Sequence, residues 1–339
     1  MNTYTIDTDY RIEALSEAMH IDFPEATKTY PLRLIPKDEN LDIDSWVIEN
    51  KEHLIGLLEK YGGILFRDFQ LNDVPSFYKM IDLMGLSLLD YKERSSPRHE
   101  VSPKVYTSTD HPSDQVINMH NENSYSRKWP LKLLFYCETP SETGGETPIA
   151  DSRKVLAALR KETRDKFIEK GIKYVRNLGS NLGLDWRQVF MTEDKAVIEA
   201  HCKENHMNFE WTDDDRLRLE YIGPAVRKHP VTQELSWFNH GYFFNILSMD
   251  PDFLEEILLV MSKEDFPFLS FYGDGTEIEP EVINEIKSVY QQLNVEFKWQ
   301  KGDLLLLDNM LMAHGRNPYA GARKILVAMS EPQKHSDFV

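Results

Sequence analysis

Cysteine is scarce: the 339 residues contain two, Cys137 and Cys202. Two thiols make no disulfide framework. Cys137 lies in the apolar run Leu133-Leu134-Phe135-Tyr136 and reads as a buried free thiol. No stretch approaches the about 20 consecutive apolar residues of a transmembrane helix, so no membrane span is expected. Residues 1–13 combine no basic segment with an apolar one, so no signal peptide is expected and the chain reads as cytoplasmic. Positive charge is in deficit, with 39 Lys and Arg against 56 Asp and Glu and a formal net charge of −17. Nucleic-acid backbones and anionic lipid both select cationic surfaces, so neither is an expected partner. A local group of arginines can still oppose the global field, which leaves an anionic small molecule open. Internal repeats and low-complexity linkers are lacking too. A single domain over 1–339 is expected, with 1–30 as an N-terminal arm. The sequence carries no signal for an oligomeric state.

The composition is 41% hydrophobic and 28% charged, enough for a substantial core. Apolar residues at helical spacing over 46–61 (Trp46, Ile48, Leu54, Ile55, Leu57, Leu58) predict a helix that Gly62-Gly63 ends, with a strand from Ile64. A second helix is expected over 74–83. Residues 91–119 are rich in Ser, Thr, Pro, Arg and His and read as a long loop, a candidate active-site lid. Residues 131–138 form a strand of buried type. A helix is expected over 152–170, with Ser152 as N-cap and Gly171 just past its end. Extended segments follow at 172–176, 208–211, 217–223 and 236–239, with a helical patch at 186–201. Helices over 251–263 and 280–293 carry proline in the first turn. The tail alternates as strands at 295–299, 303–307 and 323–329. Many short strands with inserted helices and no βαβ alternation predict a mainly β fold with helical insertions, a sandwich or jelly roll.

Among 11 histidines, His120 stands out because Glu122 follows at i+2. On an extended strand both side chains face the same way. One imidazole, one carboxylate and a second imidazole from elsewhere make the 2-His-1-carboxylate set of non-haem Fe(II) oxygenases. His314 supplies the second imidazole in this reading; it follows the apolar strand 304–307, and Arg316 and Arg323 come after it. The plain alternative is a hydrogen-bonded loop histidine with Arg316 and Arg323 as surface or ion-pair charges. His111, His201, His206, His229, His240 and His335 lie in polar or turn-like surroundings and read as surface or supporting side chains.

Several segments resemble the taurine dioxygenase-like (TauD/TfdA) family of Fe(II)- and 2-oxoglutarate-dependent oxygenases, and its SyrP-like branch in peptide natural-product biosynthesis in particular. They are YTST at 106–109, MHNENSY at 119–125, LLFYCETP at 133–140, GGETPIADSR at 144–153, SWFNH at 236–240, KGDLLLLDN at 301–309 and HGRNPYAGARKI at 314–325. The resemblance implies a double-stranded β-helix (jelly roll) core. It implies His120, Glu122 and His314 as catalytic iron ligands, Thr147 and Arg323 as partners of the cosubstrate carboxylate, and Fe(II), 2-oxoglutarate and O2 as cofactors. A guanidinium suits a carboxylate because it donates two parallel hydrogen bonds. Related halogenases lack the carboxylate ligand; here Glu122 is present, which favours hydroxylation or desaturation over halogen transfer.

The implied substrate is an amino acid, an amino-acid-derived metabolite or a carrier-protein-tethered aminoacyl group. Asn118, Ser124, Tyr125, Asn239 and Arg316 are the candidate substrate contacts, with Arg94, Arg98, Lys104 and Trp237 as further ones. A metal-dependent hydrolase or isomerase on a jelly roll, and a non-catalytic metal-binding jelly roll, are the competing readings. The first leaves Thr147 and Arg323 without a role.

Overall fold

The computed structural model describes residues 9–25, 28–90, 98–179 and 183–335. Its centre is a strand whose residues are buried on both faces. Leu304–Asp308 lies between Gly63–Phe66 on one side and Lys128–Thr139 on the other. Side chains alternate along each strand. Leu304, Leu306, Leu134, Tyr136, Leu326 and Ala328 therefore pack under the helices, while Leu305, Leu307, Leu133, Phe135, Ile325 and Val327 point into the molecule. Burial on both faces is why these strands read as continuous apolar runs.

The large sheet has eight strands. Met19–Asp22 and Leu32–Pro36 extend it beyond Gly63–Phe66, and Lys324–Lys334, Val105–Thr107 and Glu100–Ser102 extend it beyond Lys128–Thr139. Helices Ile43–Tyr61 and Val74–Leu83 cover its outer face. The first begins at Asp42, whose side chain accepts from Ser45 N, and ends at Gly62 with φ +73°. The second has a capping box between Asp73 and Ser76.

A smaller sheet of three strands, Ile117–His120, Met312–Arg316 and Ile149–Asp151, accompanies the large one. Phe135 of the large sheet meets His314 of the small one at 5.1 Å between ring centroids. Two facing sheets of this kind, antiparallel except where Leu32–Pro36 runs parallel to Gly63–Phe66, make the expected jelly roll, mainly β with helical insertions. A further four-stranded sheet, ordered Asn208–Trp211, Leu217–Gly223, Ile172–Leu178, Phe268–Tyr272, packs with helix Pro280–Leu293 in a second apolar cluster.

Several expectations need correction. The helix expected over 152–170 is two, Ser152–Ala158 and Lys161–Lys170. Leu159 and Arg160 are extended, and Arg160 N donates to Glu285 Oε1 at 2.6 Å instead of continuing the helix. The cap is Asp151 rather than Ser152; its carboxylate accepts from Arg153 N and Lys154 N. Residues 295–299 alternate buried and exposed as a strand would, yet only Val295 pairs, with Ile149. That segment is held instead by Arg67, which grips Asp303 with two hydrogen bonds of 2.9 and 2.7 Å and donates to Lys298 O. The loop expected over 91–119 contains the strands Glu100–Ser102, Val105–Thr107 and Ile117–His120; its residues 91–97, with Arg94, lie outside the described residues. In the N-terminal region, Tyr10–Ser16 is a helix and Met19–Asp22 a sheet-edge strand. No helix among the described residues is long and apolar enough to cross a membrane.

Leu305 is fully buried between the sheets. Leu305→Ala is expected to cost about 2–5 kcal/mol through lost transfer energy and a residual cavity. Denaturant unfolding checks this: the midpoint should fall with an unchanged slope.

Candidate metal centre

His120 ends its strand directly opposite His314, the register partner on the neighbouring strand. Cross-strand partners project to the same face, and the two ring centroids are 4.4 Å apart. Glu122 is not on that strand. The chain turns after His120, with Asn123 at φ +54°, and the turn brings the carboxylate back toward the imidazoles. One ligand atom from each of His120, Glu122 and His314 lies within 4.8 Å of the others, and all three residues are buried. Two bonds of about 2.0–2.2 Å reach about 4.4 Å at most, so the three donors would draw closer around a single ion.

Asn309, fully buried at the end of Leu304–Asp308, holds the turn. Its side-chain oxygen accepts from Glu122 N at 2.7 Å, and its amide nitrogen donates to the carbonyls of Glu122 and Pro130. Asn121 Nδ2 donates to Asn309 O and Ser152 Oγ. The carboxylate itself pairs with Arg98, whose Nη2 lies 2.7 Å from Glu122 Oε2 in a buried ion pair.

The imidazoles suit a metal. His120 Nδ1 lies 2.9 Å from Asn118 O, a contact that assigns the proton to Nδ1 and the lone pair to Nε2. His314 Nδ1 is buried and has no hydrogen-bond partner among the described residues. Burial lowers the pKa of His120 and holds His314 well below the usual histidine range, so both are neutral donors at neutral pH. A third histidine, His240, stands beside them with its ring 5.4 Å from that of His120. It is almost fully buried, its Nδ1 is 2.6 Å from Ser124 Oγ, and burial drives its pKa well down too.

Thr147 and Arg323 flank the Gly144-Gly145 turn. Thr147 is buried, and its Oγ1 accepts from Trp299 Nε1 at 3.2 Å, which leaves its own proton to donate elsewhere. Arg323 Nε donates to Gly145 O at 3.0 Å. Gly145 has φ +73°, a conformation that favours glycine, and a Cβ there would sit 2.6 Å from Ser141 Oγ and 3.0 Å from the Arg323 side chain. Burial and the nearby Arg316 charge push the Arg323 guanidinium down to about 10. No carboxylate forms an ion pair with it among the described residues.

The chain matches the model of the taurine catabolism dioxygenase TauD, TfdA family over residues 28–329. It belongs to the TauD/TfdA family. It is 36% identical over 276 residues to the dapdiamide synthesis protein DdaC of Enterobacter agglomerans, covering 81% of this chain and 84% of that protein. It is 30% identical over 291 residues to a clavaminate synthase-like protein of Arabidopsis thaliana, covering 82% and 84%. Among solved structures it is similar to the PvcB protein from Pseudomonas aeruginosa, with a TM-score of 0.56 at 15% identity over 97% of this chain and 94% of that one. It is also similar to AAD-2 in complex with Mn(II) and N-oxalylglycine, with a TM-score of 0.52 at 16% identity over 92% and 96%. Those two likenesses concern the fold. As a TauD/TfdA member the chain is an oxygenase enzyme of the Fe(II)- and 2-oxoglutarate-dependent class. The donor set and the Arg323 cation, which has no carboxylate ion pair among the described residues, fit that cofactor pair.

The remaining site residues of this TauD/TfdA protein are tied to its own framework. Asn118 Nδ2 donates to Ser248 O, and Asn239 spans Ala225 O and Gly241 N. Ser124 holds His240, and the Tyr125 ring lies edge-on to the same histidine at 4.8 Å. Arg316 donates to the carbonyls of His111, Pro112 and Gln115, which fastens the segment before Ile117–His120. Sequence reasoning did not single out Asn309 and took Arg98 as a candidate substrate contact, whereas Arg98 pairs with Glu122; His229 and His240, read as surface or supporting side chains, are both buried. The quoted SWFNH and KGDLLLLDN segments were the available signal for His240 and Asn309.

Asn309→Ala orphans buried groups at Glu122 and Pro130, each at about 1–3 kcal/mol, and should weaken metal binding about 10–100-fold. Calorimetric titration of the metal-free protein measures the second effect. A pH dependence follows from the buried imidazoles. The unfolded chain takes up protons on histidine below about pH 6.5, whereas native His120, His240 and His314 resist them until lower pH. Native stability is therefore expected to fall as pH drops below about 6.5. Thermal melts of the metal-free protein should show this between pH 7.5 and 5, with a shallower loss in His240→Gln.

Proposed function

We propose that this protein is a hydroxylase that acts on an unactivated C–H bond of an amino acid, an amino-acid-derived metabolite or a carrier-bound aminoacyl group. The observation that carries this reading is the convergence of two neutral imidazoles and one carboxylate in a buried site. A complete set of three donors leaves no place for a halide in the carboxylate's position. The kinship with a dapdiamide synthesis protein supports a role in natural-product biosynthesis.

His120, Glu122 and His314 hold the iron in this proposal. Arg323 pairs through its terminal nitrogens with the distal carboxylate of 2-oxoglutarate, and the Thr147 hydroxyl donates to the same group. Trp299 supports that geometry by occupying an acceptor site of Thr147. Bound iron and 2-oxoglutarate supply an oxidative decarboxylation in which one oxygen atom of O2 enters succinate, CO2 leaves, and the other oxygen oxidises the substrate. The protein's own contribution is positioning and the exclusion of water: Phe135 and Phe243 pack on His314 and His120 at 5.1 and 4.6 Å.

Succinate formation with Fe(II), O2 and 2-oxoglutarate tests the reading. A His120→Ala, His314→Ala double variant should lose both succinate and stoichiometric iron; iron bound equally by the variant would sink the proposal. Arg323→Met removes one partner of a charge-assisted contact worth about 2–5 kcal/mol. It should weaken 2-oxoglutarate binding roughly 30-fold or more, with the melting temperature of the cosubstrate-free protein unchanged or raised. Activity with zinc in the absence of oxygen would instead support a hydrolase.

A further inference from the structure

We propose that Arg98 is a positioning residue for the metal centre: it engages Glu122 Oε2 so that the carboxylate offers one oxygen, not two, to the ion. The inference rests on the iron-site reading above and adds a role for a residue outside the ligand set.

Three observations lead to it. The Nη2–Oε2 distance is 2.7 Å, and the two side chains are 5% and 2% exposed. Water therefore competes little for either partner, and charge-assisted hydrogen bonds of this length are strong. The backbone of Glu122 is already clamped on both its N–H and its carbonyl by Asn309. The side chain, which has one more rotatable bond than aspartate, is engaged at Oε2 by Arg98. Arg98 also comes from the other sheet: it lies two residues before Glu100–Ser102, at the edge of the large sheet, and reaches the turn that follows a strand of the small one.

Coordination number gives the brace its consequence. Three protein donors leave three positions of an octahedron. A keto acid that chelated through two oxygens would take two of these and leave one for O2. A Glu122 bound through both oxygens would take a fourth position and compete with the cosubstrate. A guanidinium on Oε2 opposes that, because its Nη2–H occupies a lone pair of that oxygen and its charge repels a nearby dication.

The test uses the full-length protein, Co(II) as a probe metal and the variants Arg98→Gln and Arg98→Lys. Co(II) is titrated first, by calorimetry and visible absorption, and 2-oxoglutarate is then titrated into the Co(II)-loaded protein. Arg98→Gln is expected to bind one Co(II) with an altered visible spectrum and to bind 2-oxoglutarate about 10–100-fold more weakly than wild type. Arg98→Lys, a point charge without the fork, should fall between the two. Wild-type spectra and wild-type 2-oxoglutarate affinity in both variants would overturn the proposal, whatever their melting temperatures, and leave Arg98 a structural ion pair. If Arg98→Gln does not fold, Arg98→Lys decides by the same two readouts. Wild-type protein that binds no Co(II) would overturn the iron-site reading and this inference with it, whereas normal wild-type binding with unchanged variants overturns the role of Arg98 alone.

Discussion

In the small sheet His120 lies across from His314, and the position of each other group at the site follows from that pairing. Side chains alternate along a strand, so a slip of one residue would send one imidazole to the opposite face and separate the donors. The register is held from several sides. Met312–Arg316 is also paired with Ile149–Asp151, and Met312 and Ile149 belong to the apolar core between the sheets. With two imidazoles set, the turn through Asn121 to Asn123 has one task, to return a carboxylate to them. Asn309 performs it by closing hydrogen bonds on the backbone of Glu122.

A site between two apolar sheets gains a dry interior at the cost of desolvating its polar groups. The solutions differ by residue. The histidines stay neutral, because burial lowers their proton affinity. Glu122 pairs with the Arg98 guanidinium. Arg323 accepts burial with a carbonyl contact from Gly145, and its depressed proton affinity marks a cation for which an incoming carboxylate would be welcome. The same low-polarity surroundings strengthen each of these interactions.

Much of the frame was legible from local pattern. The helices at Val74–Leu83 and Pro280–Leu293 carry proline in the first turn, and the apolar run at 304–307 read as a strand, which the fold buries on both faces. The failures were of one kind. Residues 152–170 read as one helix because the break at Leu159-Arg160 is set by Glu285, 125 residues away. Residues 295–299 alternate like a strand, but a ladder needs neighbours, and only Val295 has one. Arg316, a candidate substrate contact by sequence, also donates through its terminal nitrogens to three backbone carbonyls near residue 112, contacts that only the fold brings together.

By itself the sequence determined the donor chemistry: two imidazoles, a carboxylate, and an arginine after a glycine turn, together with the alternation that makes the sheets. Those properties belong to residue types and short spacings, and they survive without a fold. Tertiary structure decided which donors meet, that Glu122 reaches them from a turn rather than a strand, and that Arg98 and Asn309 brace it. Contacts between residues 120 and 314, or 122 and 309, depend on sheet register and on which faces are buried together. Both are outcomes of packing the whole core, and neither is encoded in a local window.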